Sequence, residues 1–432
     1  MASYSTTFPT DEDPLSESGA WVSSPGSWDA MRVVSGLAQA AAINGNGGMA
    51  QLVSAIGANQ YARGTVGSGL SVGGEVSVML RMPSSTDGAG YYFNLTSIGN
   101  YEIYSVTDGG TLTFGTAIKT GVVGTPSAGQ TYEARVQGSC LSLVYQGVLI
   151  GTITNSARTA GQPAIGAFSN TATSAQVWDG WDGGDYDGWP GAGYPRIVDV
   201  AVTKLSTNTT TPSFNIPACA SGDLLILVIA KDGTGALTWP GSPAFTVITN
   251  AAGTGGATAS NYGDARYRIV DGTEGWGSGG TLAFTGNPNE TYYGLCYRIT
   301  GHDAAAAVEC ASAQSTAGTQ TAPDPPSLTP SWGAANGLWI ACATADGIPA
   351  VTAWPTSYFD WPVGEATAAV ANTDCTMMAA ARYVNPGGSG AENPGTFTIA
   401  TEQWRALTIA VKPATAITAP VMAQQFGAVG MP

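Results

Sequence analysis

The chain has 432 residues, of which 59 are glycine and one is histidine; 44% are hydrophobic and only 10% charged. Histidine is the commonest general acid–base and metal ligand, so a chain with only His302 has given up most of that chemistry. Thirty acidic against 15 basic residues give a net charge of −15, and with no Lys/Arg run this disfavours nucleic acid and other polyanions as partners.

The length allows two or three domains of ~100–200 residues. Residues 1–20 are polar and carry Asp11-Glu-Asp-Pro, which reads as an arm or lead-in strand. The N-terminus has neither the basic start nor the apolar stretch of a secretory signal, so synthesis and folding in a cytoplasm are expected. Gly36–Ala42 is alanine-rich, but Ile43-Asn-Gly-Asn-Gly-Gly ends it within two turns, and no convincing helix appears elsewhere. Between Gly69 and Met82, Leu70, Val72, Val76, Val78, Leu80 and Met82 alternate with other residues. Tyr91-Tyr-Phe-Asn-Leu and Tyr101-Glu-Ile-Tyr-Ser-Val follow, each bounded by Gly, Asn or Asp, the pattern of half-buried strands. Tyr132–Ile153 is the clearest piece: three alternating runs separated by Gly138-Ser139 and Gln146-Gly147, a meander with two tight turns. In Val177–Pro195, Gly and Pro punctuate too densely for a core strand, and the boundary between the two halves is expected there.

The second half repeats itself. Leu224-Leu-Ile-Leu-Val-Ile-Ala-Lys-Asp-Gly matches Leu338-Trp-Ile-Ala-Cys-Ala-Thr-Ala-Asp-Gly 114 residues on, and each is followed by Trp-Pro, at Trp239 and Trp354. Arg266-Tyr-Arg-Ile-Val parallels Arg382-Tyr-Val, and Thr281-Leu-Ala-Phe-Thr parallels Gly395-Thr-Phe-Thr-Ile. Tyr292–Ile299 and Trp404–Val411 close the two units. The longest apolar run, Leu224–Ala230, falls far short of the ~20 residues that cross a bilayer, so no membrane insertion is expected. The six cysteines (Cys140, Cys219, Cys296, Cys310, Cys342 and Cys375) form no CxxC pair and read as buried free thiols.

The expected fold is all-β: an N-terminal jelly-roll sandwich followed by a second β-sandwich with internal duplication. The expected divisions are an arm (1–20), the jelly roll (21–187), a linker (188–195), the duplicated sandwich (196–414, with repeats at about 222–300 and 336–412) and a tail (415–432). Gly19-Ala-Trp, Asn59-Gln-Tyr-Ala, the Tyr132–Gly151 meander and the closing Val177-Trp178 together resemble concanavalin-A-like (laminin-G-like) jelly rolls. Ser221-Gly-Asp-Leu-Leu, Tyr267-Arg-Ile-Val-Asp-Gly-Thr-Glu-Gly, Tyr297-Arg-Ile-Thr-Gly-His and Trp404-Arg-Ala-Leu-Thr-Ile-Ala-Val-Lys-Pro resemble a domain of tailed-bacteriophage virion proteins. That resemblance implies a structural or adhesive virion component, such as a fibre or capsid decoration, partnered by other virion proteins. It brings no catalytic residues. A homo-oligomer is the general expectation for such assemblies, and a trimer is the guess here.

Candidate chemistry is sparse. Glycosidases on jelly rolls need two carboxylates flanking the sugar bond, yet Glu75, Glu102 and Glu133 each lack an acidic residue two or four positions away. His302 is followed directly by Asp303, which on a strand points to the opposite face, so no Ser/His/Asp triad is expected. Trp178, Trp181, Tyr186 and Trp189 crowd one segment and are the candidate rings for a host-surface glycan; the competing reading is packing between the two halves. Asp179, Asp182, Asp185 and Asp187 on the same Gly-rich segment are the candidate calcium ligands, although their spacing is not that of an EF-hand. No catalytic residue is assigned. The expected function is a non-enzymatic virion surface protein, and the alternative is a free lectin or a glycoside hydrolase on a jelly-roll fold.

Overall fold

The computed structural model describes residues 2–414 apart from 24–27, 43–46, 69, 84–87, 108–113, 169–175, 187, 189, 192, 253–260, 306–307, 316–320, 368–373 and 389. Among the described residues there is no α-helix, only a single 3-10 turn at Glu17–Gly19. The first half runs β1 (Ser3–Thr6), β2 (Trp21–Ser23), β3 (Asp29–Val34), β4 (Leu37–Ala40), β5 (Gly48–Leu52), β6 (Gln60–Val66), β7 (Glu75–Met82) and β8 (Gly90–Thr96). It continues through β9 (Asn100–Val106), β10 (Lys119–Val122), β11 (Thr131–Gln137), β12 (Cys140–Tyr145), β13 (Val148–Thr154), β14 (Gln162–Phe168) and β15 (Val177–Asp185).

These strands form two layers. The front layer runs β1-β15-β6-β11-β12-β13 and the back layer β10-β9-β8-β7-β14-β5, with β3 bonded to both β4 and β5 where the layers join. Alternation sends Val76, Val78, Leu80, Tyr91, Phe93 and Leu95 from the back layer, and Ala62, Tyr132, Ala134, Val136, Leu141 and Leu143 from the front, into one core. The meander forms as its sequence indicates: Gln137 pairs with Cys140 and Tyr145 with Val148, across two-residue turns. Gln146 and Gly147 both take positive φ, as a type I′ turn requires.

The expected absence of a helix is met at Gly36–Ala42, and one expectation fails in β15. The alanine-rich Gly36–Ala42 holds not a helical turn but β4, which pairs with β3 through a Ser35-Gly36 turn with both φ positive. Val177–Asp185, expected to be too broken for a core strand, is the nine-residue β15, paired with β6, β4 and β1. Glycines in and opposite this strand make room for rings rather than turns. A Cβ on Gly64 would sit 2.2 Å from the Trp178 ring, and one on Gly183 would sit 2.4 Å from the Trp181 ring.

The second half runs β16 (Arg196–Thr209), β17 (Ser213–Ile216), β18 (Leu224–Asp232), β19 (Thr246–Ala252), β20 (Asn261–Ile269), β21 (Gly280–Ala283) and β22 (Glu290–Thr300). Then follow β23 (Val308–Gln314), β24 (Gly337–Asp346), β25 (Asp360–Ala366), β26 (Cys375–Val384) and β27 (Trp404–Val411). Each repeat makes one five-stranded antiparallel sheet, in the orders β16-β22-β18-β20-β19 and β23-β27-β24-β26-β25, which are the same order strand for strand. The sheets share a core in which Ile226, Val228, Leu295 and Tyr297 meet Leu338, Ile340, Met377 and Ile409. The two Trp-Pro tryptophans cover equivalent outer faces: Trp239 lies 5.0 Å from the Phe284 ring and Trp354 5.7 Å from that of Phe397. One sequence match shifts by a turn of the ladder. Leu225 pairs with Arg268, as Trp339 pairs with Arg382, so the counterpart of Arg382 is Arg268 and not Arg266.

The halves meet through β25. Trp361, in a left-handed conformation beside a register shift, is fully buried with Cys140, and its backbone N–H donates to Gln137 Oε1 at 2.7 Å. Glu365 accepts from the Thr154 backbone and pairs with Lys204. None of the six cysteines is in a disulfide, five are buried, and burial pushes the Cys140 and Cys375 thiols up to about 12.

Candidate functional site

The rings expected to bind sugar do not form a site. Trp178 is fully buried in the jelly-roll core, and its indole N–H donates to the Gly166 carbonyl at 2.9 Å. Trp181 is 2% exposed and packs edge-on to Trp21 at 4.8 Å. Neither can present a face to solvent, because both rings project inward from β15. Tyr186 lies at the junction of the halves, which is the competing reading. Its hydroxyl donates to Asp360 Oδ1 at 2.8 Å and accepts from Arg135 Nη1 at 2.8 Å, with the guanidinium 4.6 Å over the ring. Trp189 lies outside the described residues.

The expected calcium ligands also separate. Past the register shift between Trp178 and Gly180, a spacing of three turns Asp182 and Asp185 to opposite faces of the strand. Asp179 is exposed, Asp182 pairs with Arg63 at 2.8 Å, and Asp185 accepts from the backbone N–H groups of Gly57 (2.6 Å) and Ala2 (2.7 Å). Asp187 lies outside the described residues. Among the described residues no group of three or more His, Cys, Asp or Glu is placed to hold a metal ion. Melting temperatures measured with added calcium and with chelator are therefore expected to coincide; a calcium-dependent rise of several degrees would contradict this placement. His302 is buried at a bridge to Pro413, where burial lowers its pKa, and Asp303 pairs with Lys412 at 2.8 Å.

The back layer assembles what the sequence scatters. β7, β8 and β9 are consecutive antiparallel strands whose inward residues build the core, leaving the alternate ones on the outer face. Their register places Ser77 beside Asn94 and Asn94 beside Glu102 in one row across three strands. Glu75 follows on the same face two residues from Ser77. Asn94 Nδ2 donates to Glu75 Oε2 at 2.9 Å, its Oδ1 accepts from Ser77, and Tyr104 OH donates to Glu102 Oε2 at 2.6 Å. Glu75 Oε1 has no hydrogen bond among the described residues. Burial first, then the charge of Glu102, pushes the Glu75 carboxyl up to about 7 against the pull of the Asn94 amide.

Aromatic rings rise around this floor. Trp28 stacks on Tyr92 (5.7 Å, 14°), and Phe114 stands edge-on to Trp28, Tyr92 and Tyr104 at 6.0, 5.3 and 5.2 Å. Phe114 is 38% exposed, so its ring reaches solvent. The cavity between Trp28, Tyr104, Phe114 and Phe168, over Glu75, Ser77 and Asn94, holds about 210 Å³. A larger depression of about 940 Å³ runs along β1. It is open, and its acids are already engaged: Glu17 takes the hydroxyls of Tyr4 and Thr6 and the Trp21 indole N–H, and Asp182 takes Arg63. The back-layer cavity is the candidate site, since it joins aromatic walls to convergent polar groups and to a carboxyl raised toward neutrality. Glu75 and Glu102 look isolated along the sequence because their neighbours lie across strands; the short β8–β9 turn at Ser97–Gly99 is the local signal that sets Asn94 against Glu102.

No protein-family model matches the chain, and no match to a curated protein is significant. Among solved structures, the chain is similar to the carbohydrate binding module CBM66 from Bacillus subtilis (14% identity, 38% of this chain and 92% of that one, TM-score 0.28). It is also similar to a Bacillus licheniformis beta-glucanase (12% identity, 43% and 99%, TM-score 0.32) and to the carbohydrate recognition domain of Emp46p (12% identity, 39% and 90%, TM-score 0.30). Similarity of this degree carries no functional inference.

Proposed function

We propose that the protein is a non-enzymatic glycan-binding component of a bacteriophage virion surface, with the sugar held on the outer face of the jelly roll's back layer. The observation that carries the glycan reading is the cavity that joins aromatic walls at Trp28, Tyr104, Phe114 and Phe168 to the polar floor of Glu75, Ser77 and Asn94. A sugar ring has apolar C–H faces that stack on aromatic rings and hydroxyl edges that need fixed polar partners, and this arrangement offers both. The virion placement rests on the resemblance of residues 196–414. The duplicated sandwich then serves as the base to which the binding half is clamped through Trp361 and Glu365, and other virion proteins and further copies of this chain are its partners.

A glycan array with the intact protein and with Phe114→Ala tests the binding. Losing this exposed ring should weaken binding about tenfold while the melting temperature stays close to that of the parent. Equal binding by both proteins would remove the site. Mass spectrometry of purified particles tests the placement, and absence of the chain from them would overturn it. Hydrolysis is the rival reading, and Glu75, raised to about 7 beside Glu102, is the observation in its favour. Release of reducing ends that disappears in Glu75→Gln would replace the non-enzymatic reading.

A further inference from the structure

The chemistry of the back-layer cavity specifies its ligand further than "sugar". Both ionisable carboxyls on this face, Glu75 and Glu102, are acids, and no Lys or Arg is among the cavity's lining residues. The floor is also unbalanced in hydrogen bonding. Asn94 spends one of its two amide hydrogens on Glu75, and Ser77 spends its hydroxyl hydrogen on Asn94, so acceptors outnumber donors on the floor: Glu75 Oε1 and the Ser77 and Asn94 oxygens against one Asn94 N–H. A neutral hydroxyl brings one donor to such a floor, whereas an ammonium group brings three together with a positive charge. The walls favour the same group, because aromatic faces attract cations and do so more strongly where water is excluded.

We infer that the cavity takes an amino sugar, a ring carrying a free protonated amine, with the ammonium group between Glu75 and the aromatic walls. This rests on the glycan reading above and narrows it. The ammonium donates to Glu75 Oε1 and relieves the repulsion between Glu75 and Glu102, while the ring's apolar face lies against Phe114. N-acetylation of the same sugar removes the charge, leaves one N–H donor and adds bulk in a cavity of about 210 Å³.

Calorimetric titration of the full chain with a glucosamine disaccharide, its N-acetylated form, cellobiose and choline tests this. The free-amine disaccharide is expected to bind about tenfold or more tightly than the other two sugars, and Glu75→Gln is expected to bring it down to their level. Equal binding of all three sugars, unchanged in Glu75→Gln but weakened in Phe114→Ala, would overturn the amino-sugar inference and leave the glycan reading standing. Binding of choline alone, lost in Glu75→Gln, would support an ammonium site while overturning the glycan reading. No binding of any probe by a protein with unchanged melting temperature would overturn both.

Discussion

Trp178→Ala is expected to destabilise the jelly roll by ~3–5 kcal/mol, as is typical for removing a fully buried large ring that neighbours cannot collapse around. The cavity would be rigidly framed, because Gly64 opposite has no side chain to move in and the Gly166 carbonyl loses its indole partner. Trp178→Phe keeps most of the volume and should cost far less. Urea denaturation followed by tyrosine and tryptophan fluorescence checks both. A Trp178→Ala protein of parental stability that had lost glycan binding would restore the tryptophan to the site that its sequence first suggested.

Asp346→Asn is expected to help at high pH and not at low. Asp232 and Asp346 end equivalent strands of the two repeats, and each accepts the N–H of the following glycine, at 2.8 and 3.0 Å. The two carboxyls meet where the sheets pack, so that burial, then the charges of Asp232 and Glu402, raises Asp346 to about 7, and burial raises Asp232 as well. Lys231, Asp374, Glu290 and Cys375 complete the charged and titratable surroundings. A carboxyl raised in the folded state holds a proton that the unfolded chain has released, so stability falls as pH rises from about 4 through about 7. Glu75 adds to this slope in the same direction. At pH 8 Asp346→Asn should therefore melt ~2–4 °C above the parent, the shift that follows from about 1 kcal/mol in a domain of this size. Below about pH 4, where the carboxyl is protonated in the unfolded chain as well, the gain should vanish. A loss of the same size at both pH values would show that the pair acts only through its hydrogen bonds.

Much of the fold is legible in the sequence for local reasons. Turn residues that require positive φ fix the β11–β13 meander, and repeated Asp-Gly and Trp-Pro doublets mark the duplicated sheets. What misleads is glycine used for a different purpose. In β15 the Gly-rich run resembles a linker, yet it is a core strand whose glycines, with Gly64 opposite, accommodate two tryptophans. That error carried the candidate site with it, because aromatic and acidic residues on a loop are free to bind, whereas on a core strand they alternate between the interior and existing partners. The cavity of the back layer was hidden for the complementary reason. Its residues come from Trp28, three consecutive strands, Phe114 and Phe168, and no spacing along one strand reveals a row that runs across three.

The most direct test of the glycan site is a crystal structure of the protein soaked with the tightest-binding sugar from the array. The sugar ring is expected against Phe114, over Asn94 and Glu75. Sugar density in the groove along β1, with the back-layer cavity empty, would contradict it.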